Sequence, residues 1–156
     1  RFRQVGFPFF TMRENYKHLF GNWRTGVYVD SEKYNVSSVL KALRTGSCYM
    51  TNGPALLMKV YDTNKSYTMG EKCPSPNRCR IEVLSTEEFG ILKYIKIMLG
   101  NMDKKRESVF YDNTIDKNRF EYVKEISLEN MPDQGYLRTE VRTSKNFQAL
   151  SNPIWF

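Results

Sequence analysis

Apolar and polar residues alternate one for one along much of the chain. Leu56, Met58 and Val60 alternate with Leu57, Lys59 and Tyr61, and Ile81 and Val83 alternate with Arg80 and Glu82. Ile95, Ile97 and Leu99 alternate with Tyr94, Lys96 and Met98. Phe120, Tyr122, Ile126 and Leu128 share a face opposite Glu121 and Glu125, and Leu137 and Val141 alternate with Arg138, Glu140 and Arg142. A period of two marks strands with one buried and one wet face. The turn-rich stretches "DTNKS", "PSPN", "STEEFG", "GNMDKK", "YDNTIDKN" and "NMPDQG" separate them. Short strands punctuated this way predict an antiparallel β-sandwich of about seven or eight strands.

One segment has helical spacing. Val36, Val39, Leu40 and Leu43 recur at i, i+3, i+4 and i+7. Asn35 is a good N-cap, Lys41 and Arg44 sit where cations suit the helix dipole, and Gly46 supplies a left-handed terminator. The fold class is therefore mainly β: an antiparallel β-sandwich with one N-terminal amphipathic helix, whose apolar face is expected to pack on the sheet. Before it, "RFRQVGFPFFTM" is aromatic and irregular, "RENYKHLF" has the makings of a short helix ending at Gly21, and "TGVYV" reads as a strand.

The stretch "SCYMTNGPALLMKVY" breaks a strand with a stiff knot, Thr51, Asn52, Gly53 and Pro54. Asn52 and Gly53 tolerate a left-handed backbone, and Pro54 fixes its own φ and lacks a donor, so the strand restarts at Ala55. Ser151, Asn152 and Pro153 repeat the device before the last strand.

Charge and chemistry narrow the function. The 156 residues suffice for one core and carry a formal charge of +7. The bases interleave with acids, and the one dense cluster, Lys104, Lys105 and Arg106, is followed by Glu107. This reads as a solvated basic surface, and no nucleic-acid partner is expected. No apolar run approaches the about 18 residues of a membrane helix, so no membrane span is expected.

A hydrolytic triad would have to use His18, the single histidine, which lies in the polar stretch "ENYKHLFG". The acid pairs Glu87 with Glu88 and Asp112 with Asp116 fall in apparent turns. No Gly-rich phosphate loop is present. Of three cysteines, Cys73 and Cys79 bracket a turn-rich loop that allows a disulfide, and Cys48 reads as core. Intrinsic catalysis is poorly supported: neither a catalytic residue nor a metal ligand is expected in this chain. Tyr61, Tyr67, Tyr94 and Tyr111 are candidates for a sugar-stacking platform, which makes a carbohydrate-binding sandwich the alternative reading.

Three segments carry a resemblance. "VLKALRTGSCYMTNGPAL", "FGNWRTGVYV" upstream and "ALSNPIWF" at the far end resemble, in order and spacing, the C-terminal region of the carbaryl-hydrolase-like (CehA/McbA type) branch of the polymerase-and-histidinol-phosphatase (PHP) superfamily of metallohydrolases. The middle of the chain carries no motif. The resemblance implies a connecting segment over residues 1–34 from an upstream catalytic barrel and a helix plus β-sandwich accessory domain over 35–156. It implies that divalent metals belong to the upstream domain and that this chain has no cofactor of its own. The family's last Asp-x-His pair would stand just before "FGNWRT", where this sequence has none. The implied partners are the upstream catalytic domain of the same polypeptide and, second, further copies in a homo-oligomer. Phe7, Phe9, Phe10, Trp23 and Arg24 are then the expected barrel-docking residues, because a free terminus is ordinarily polar.

Overall fold

The computed structural model describes residues 22–29, 34–115 and 118–156, and the backbone of residues 2–4 and 11–13. The last two stretches, β1 (Phe2–Gln4) and β2 (Thr11–Arg13), pair with each other as an antiparallel hairpin.

The rest is an antiparallel two-sheet sandwich. The smaller sheet joins β5 (Ala55–Tyr61), β6 (Ser66–Thr68), β7 (Arg78–Leu84) and β10 (Glu121–Ser127) in the order β10-β7-β5-β6. The larger runs β3 (Arg24–Val27), β4 (Cys48–Thr51), β12 (Gln148–Ser151), β11 (Gly135–Thr143), β8 (Leu92–Asn101) and β9 (Arg106–Thr114), with β13 (Ile154–Trp155) also paired to β11. The alternation becomes burial. Leu56, Met58 and Val60 on β5, Cys79, Ile81 and Val83 on β7, Ile95 and Ile97 on β8, and Leu137 and Val141 on β11 form one core between the sheets. Thr139 enters the same layer, its hydroxyl donating to Met58 Sδ across the sandwich at 3.2 Å. Short pieces such as β6 and β13 raise the strand number above the expected one. β3, inside the segment expected to be a connector, is an edge strand of the larger sheet.

Helix α1 (Val36–Thr45) has the expected ends. Asn35 accepts from the Ser38 amide, Ser38 Oγ accepts from the Asn35 amide, and Gly46 closes the helix in the left-handed region at φ 76°. Its packing differs from expectation. Val36, Leu40 and Leu43 are 77%, 48% and 44% exposed, and only Ala42 is buried. The helix therefore does not lay its apolar stripe on the sheet. It docks by its C-terminal turn, where a Cβ placed on Gly46 would stand 3.3 Å from Gly70 Cα.

Candidate functional site

The segments that carry the resemblance converge. "RTGV" is β3, "CYMT" is β4 and "QALS" is β12, and these are consecutive neighbours in the larger sheet. Arg24 pairs with Thr51, and Thr51 pairs with Ala149.

The two Asn-containing turns finish this edge. Thr51 Oγ1 donates to the Pro54 carbonyl at 2.6 Å and accepts from the Gly53 amide at 2.9 Å, which closes the knot. The Asn52 amide donates to the Gln148 carbonyl at 3.1 Å, and Asn52 Oδ1 accepts from the Gln148 amide at 2.6 Å. Asn152 Nδ2 donates to the Gly46 carbonyl at 3.0 Å, tying the last turn to the end of α1. Ser151 Oγ is buried and accepts from the Thr139 amide at 2.8 Å. The Pro153 carbonyl accepts from the Gly70 amide at 2.9 Å. Side chains spent on backbone partners in this way are structural. One expectation is corrected: neither Asn52 nor Gly53 is among the residues with positive φ. Glycine is required for space, since a Cβ at Gly53 would lie 2.8 Å from Phe147 Cβ and 3.0 Å from the Phe89 ring.

Other candidates disperse. Tyr61 stacks under Arg78 on the smaller sheet's outer face, while Tyr94 lies beside Lys96 and Arg142 on the larger sheet. Tyr67 is buried with its hydroxyl on Asp62, and Tyr111 shares a hydrogen bond with Tyr122. The four tyrosines form no common platform. The backbone carbonyls of Glu87 and Glu88 accept from Lys145 Nζ, and Asp112 pairs with Lys96. His18, Asp116, Phe7, Phe9 and Phe10 lie outside the described residues. Trp23 is 39% exposed, and Arg24 is exposed beside it.

Cys73 and Cys79 are both buried free thiols in this structure, so the bridge that the loop allows is not made. Cys79 points inward from β7 in phase with Ile81, and burial pushes its thiol up to about 12. Burial also raises Cys73. Sequence reasoning missed the network on the larger sheet: Arg138 forks onto both Glu107 oxygens at 2.6 Å while Tyr136 donates to the same carboxylate. The Arg138 hydrogen bonds hold Glu107 below the usual carboxylate range. Glu107 and Arg138 meet across β9, β8 and β11, a pairing that no short sequence window reveals.

Among the described residues no three of His, Cys, Asp and Glu gather to hold a metal ion, and no helix is long and apolar enough to cross a membrane. No family model matches the chain, and no curated protein or solved structure matches it significantly.

Proposed function

We propose that this chain is a non-catalytic accessory β-sandwich module of a longer polypeptide, the C-terminal part of a PHP-type metal-dependent hydrolase, and that it supports the catalytic domain upstream. The observation that carries the reading is the convergence of the three family-like segments on one sheet edge, β3-β4-β12, next to α1. A motif set scattered over the sequence yet joined in space behaves as one structural unit. Its outward groups agree. Trp23 before β3 and Val36, Leu40 and Leu43 on α1 are exposed apolar side chains on the elements nearest the N-terminal segment. Large apolar side chains left exposed in this way are available to a neighbouring domain. The occupant in this reading is the upstream domain of the same polypeptide, which contributes the water-activating metal chemistry.

The test compares a polypeptide that carries the proposed upstream domain with this chain alone. Metal content and phosphoester hydrolysis should reside in the upstream part. The reading fails if the longer polypeptide binds no stoichiometric metal, or if this chain hydrolyses the same substrates unaided.

A further inference from the structure

Because α1 docks by its C-terminal turn, a cleft of ≈ 760 Å³ separates the rest of the helix from the smaller sheet. Three lysines line it: Lys41 on α1, Lys65 just ahead of β6 and Lys72 after it. None of the three forms an ion pair with a carboxylate among the described residues. Among the described residues the one carboxylate in the lining, that of Glu71, accepts from the Thr68 amide at 2.7 Å and is held to the rim. Like charges around one opening repel each other unless a negative group sits between them.

The lining also suits a ligand, since Tyr28 and Ala42 give the cleft an apolar side. The end of α1 would repel an anion, and three carbonyls there are already satisfied: Gly46 O accepts from Asn152, and Ala42 O and Leu43 O accept from the amides of Ser47 and Gly46. Lys65 Nζ also stands 4.4 Å from the Tyr67 ring centroid, which holds its charge beside the opening.

We propose that this cleft binds a small phosphate ester, with the phosphate between Lys41, Lys65 and Lys72 and an apolar or ring-bearing body against Tyr28 and Ala42. The site is independent of the accessory-module reading, since it lies within this chain and requires no upstream domain.

The probes are inorganic phosphate, phenyl phosphate and phenol, titrated into the protein in low-salt buffer and followed by amide chemical shifts and calorimetry. Phenyl phosphate should bind more tightly than inorganic phosphate, phenol should not bind, and the shifts should cluster at Ser38, Lys41, Thr68 and Lys72. Replacing Lys41, Lys65 and Lys72 together by Gln should weaken phenyl phosphate about tenfold or more, the loss expected when a charged anchor is removed. Replacing the same three by Arg should largely keep it. The distant triple change Lys104→Gln, Lys105→Gln and Arg106→Gln should leave it unaltered. Equal affinity for phosphate and phenyl phosphate, equal losses in the two Gln triples, or no binding by a chain whose spectrum stays dispersed would each overturn the proposal.

Discussion

Gly53→Val tests the corner that joins the motif-bearing strands. The substitution adds a Cβ at 2.8 Å from Phe147 Cβ and 3.0 Å from Phe89 Cδ1 and Cγ, with two methyl groups beyond it. Carbon atoms prefer about 3.5–4.0 Å, so the first atom alone arrives about 0.5–1 Å too close. The Phe89 ring can rotate away, although its edge-to-face contact with Phe147, at 5.3 Å between centroids, would be lost. Phe147 Cβ cannot rotate, because it is fixed to the backbone one residue before Gln148, which is clamped to Asn52. The corner must therefore open between Asn52 and Gln148. Overpacking of this kind costs about 1–3 kcal/mol, and a weakened backbone hydrogen bond adds about 1 kcal/mol. The sum, about 2–4 kcal/mol, corresponds to a fall of roughly 10 °C in melting temperature for a domain of this size. Chemical denaturation measures it directly. Combining the change with Phe89→Ala should recover about 1 kcal/mol, the coupling expected of side chains in contact. An unaltered midpoint for Gly53→Val, or strictly additive effects in the pair, would refute the steric account.

Three further outcomes follow from the geometry. Gly70→Ala should detach the end of α1, because the residue is left-handed at φ 85° and a Cβ would meet Thr45 O and the Gly46 backbone at 2.1–2.7 Å; we expect at least about 1–3 kcal/mol of destabilisation and loss of helical amide protection, and a wild-type midpoint would contradict it. Glu107 titrates lower folded than unfolded, so its pairing with Arg138 stabilises the fold above its unfolded value of 4.5 and is lost as pH falls through the folded value. Denaturation across pH should show the parent more stable than Glu107→Gln at neutral pH with the gap closing below pH 4.5, whereas a pH-independent gap would rule out the linkage. Native alkylation should label the half-buried Cys48 before Cys73 and Cys79, and the intact mass should correspond to three thiols; a mass two hydrogens lower would establish a bridge.

Much of the architecture is legible in the alternation. β5, β7 and β11 bury the residues that the period of two selects, and Asn35 and Gly46 bound the helix as their chemistry requires. The orientation of α1 was not legible. Its amphipathic stripe says that one side is apolar but not what stands opposite; the helix end is fixed where Gly46 meets Gly70, a contact set by tertiary placement, and Ala42 is its buried position. Gly53 was legible as necessary but for the wrong reason: its neighbours Phe89 and Phe147 lie far away in sequence. The spacing of Cys73 and Cys79 allowed a bridge, and both side chains do enter the core, yet as free thiols. The order of the motif segments was visible in the chain, whereas their adjacency as β3-β4-β12 depends on two long-range antiparallel pairings.

In the proposed reading, the outward face of α1 and Trp23 rest against an upstream domain of the same polypeptide. Hydrogen exchange and side-chain labelling at Trp23, Leu40 and Leu43, compared between this chain and a polypeptide that carries the proposed upstream domain, test that contact. These positions, exposed here, should become protected when the upstream domain is present, while the outer face at Arg78 and Arg80 stays unchanged. Equal exposure of Trp23, Leu40 and Leu43 in both would contradict it.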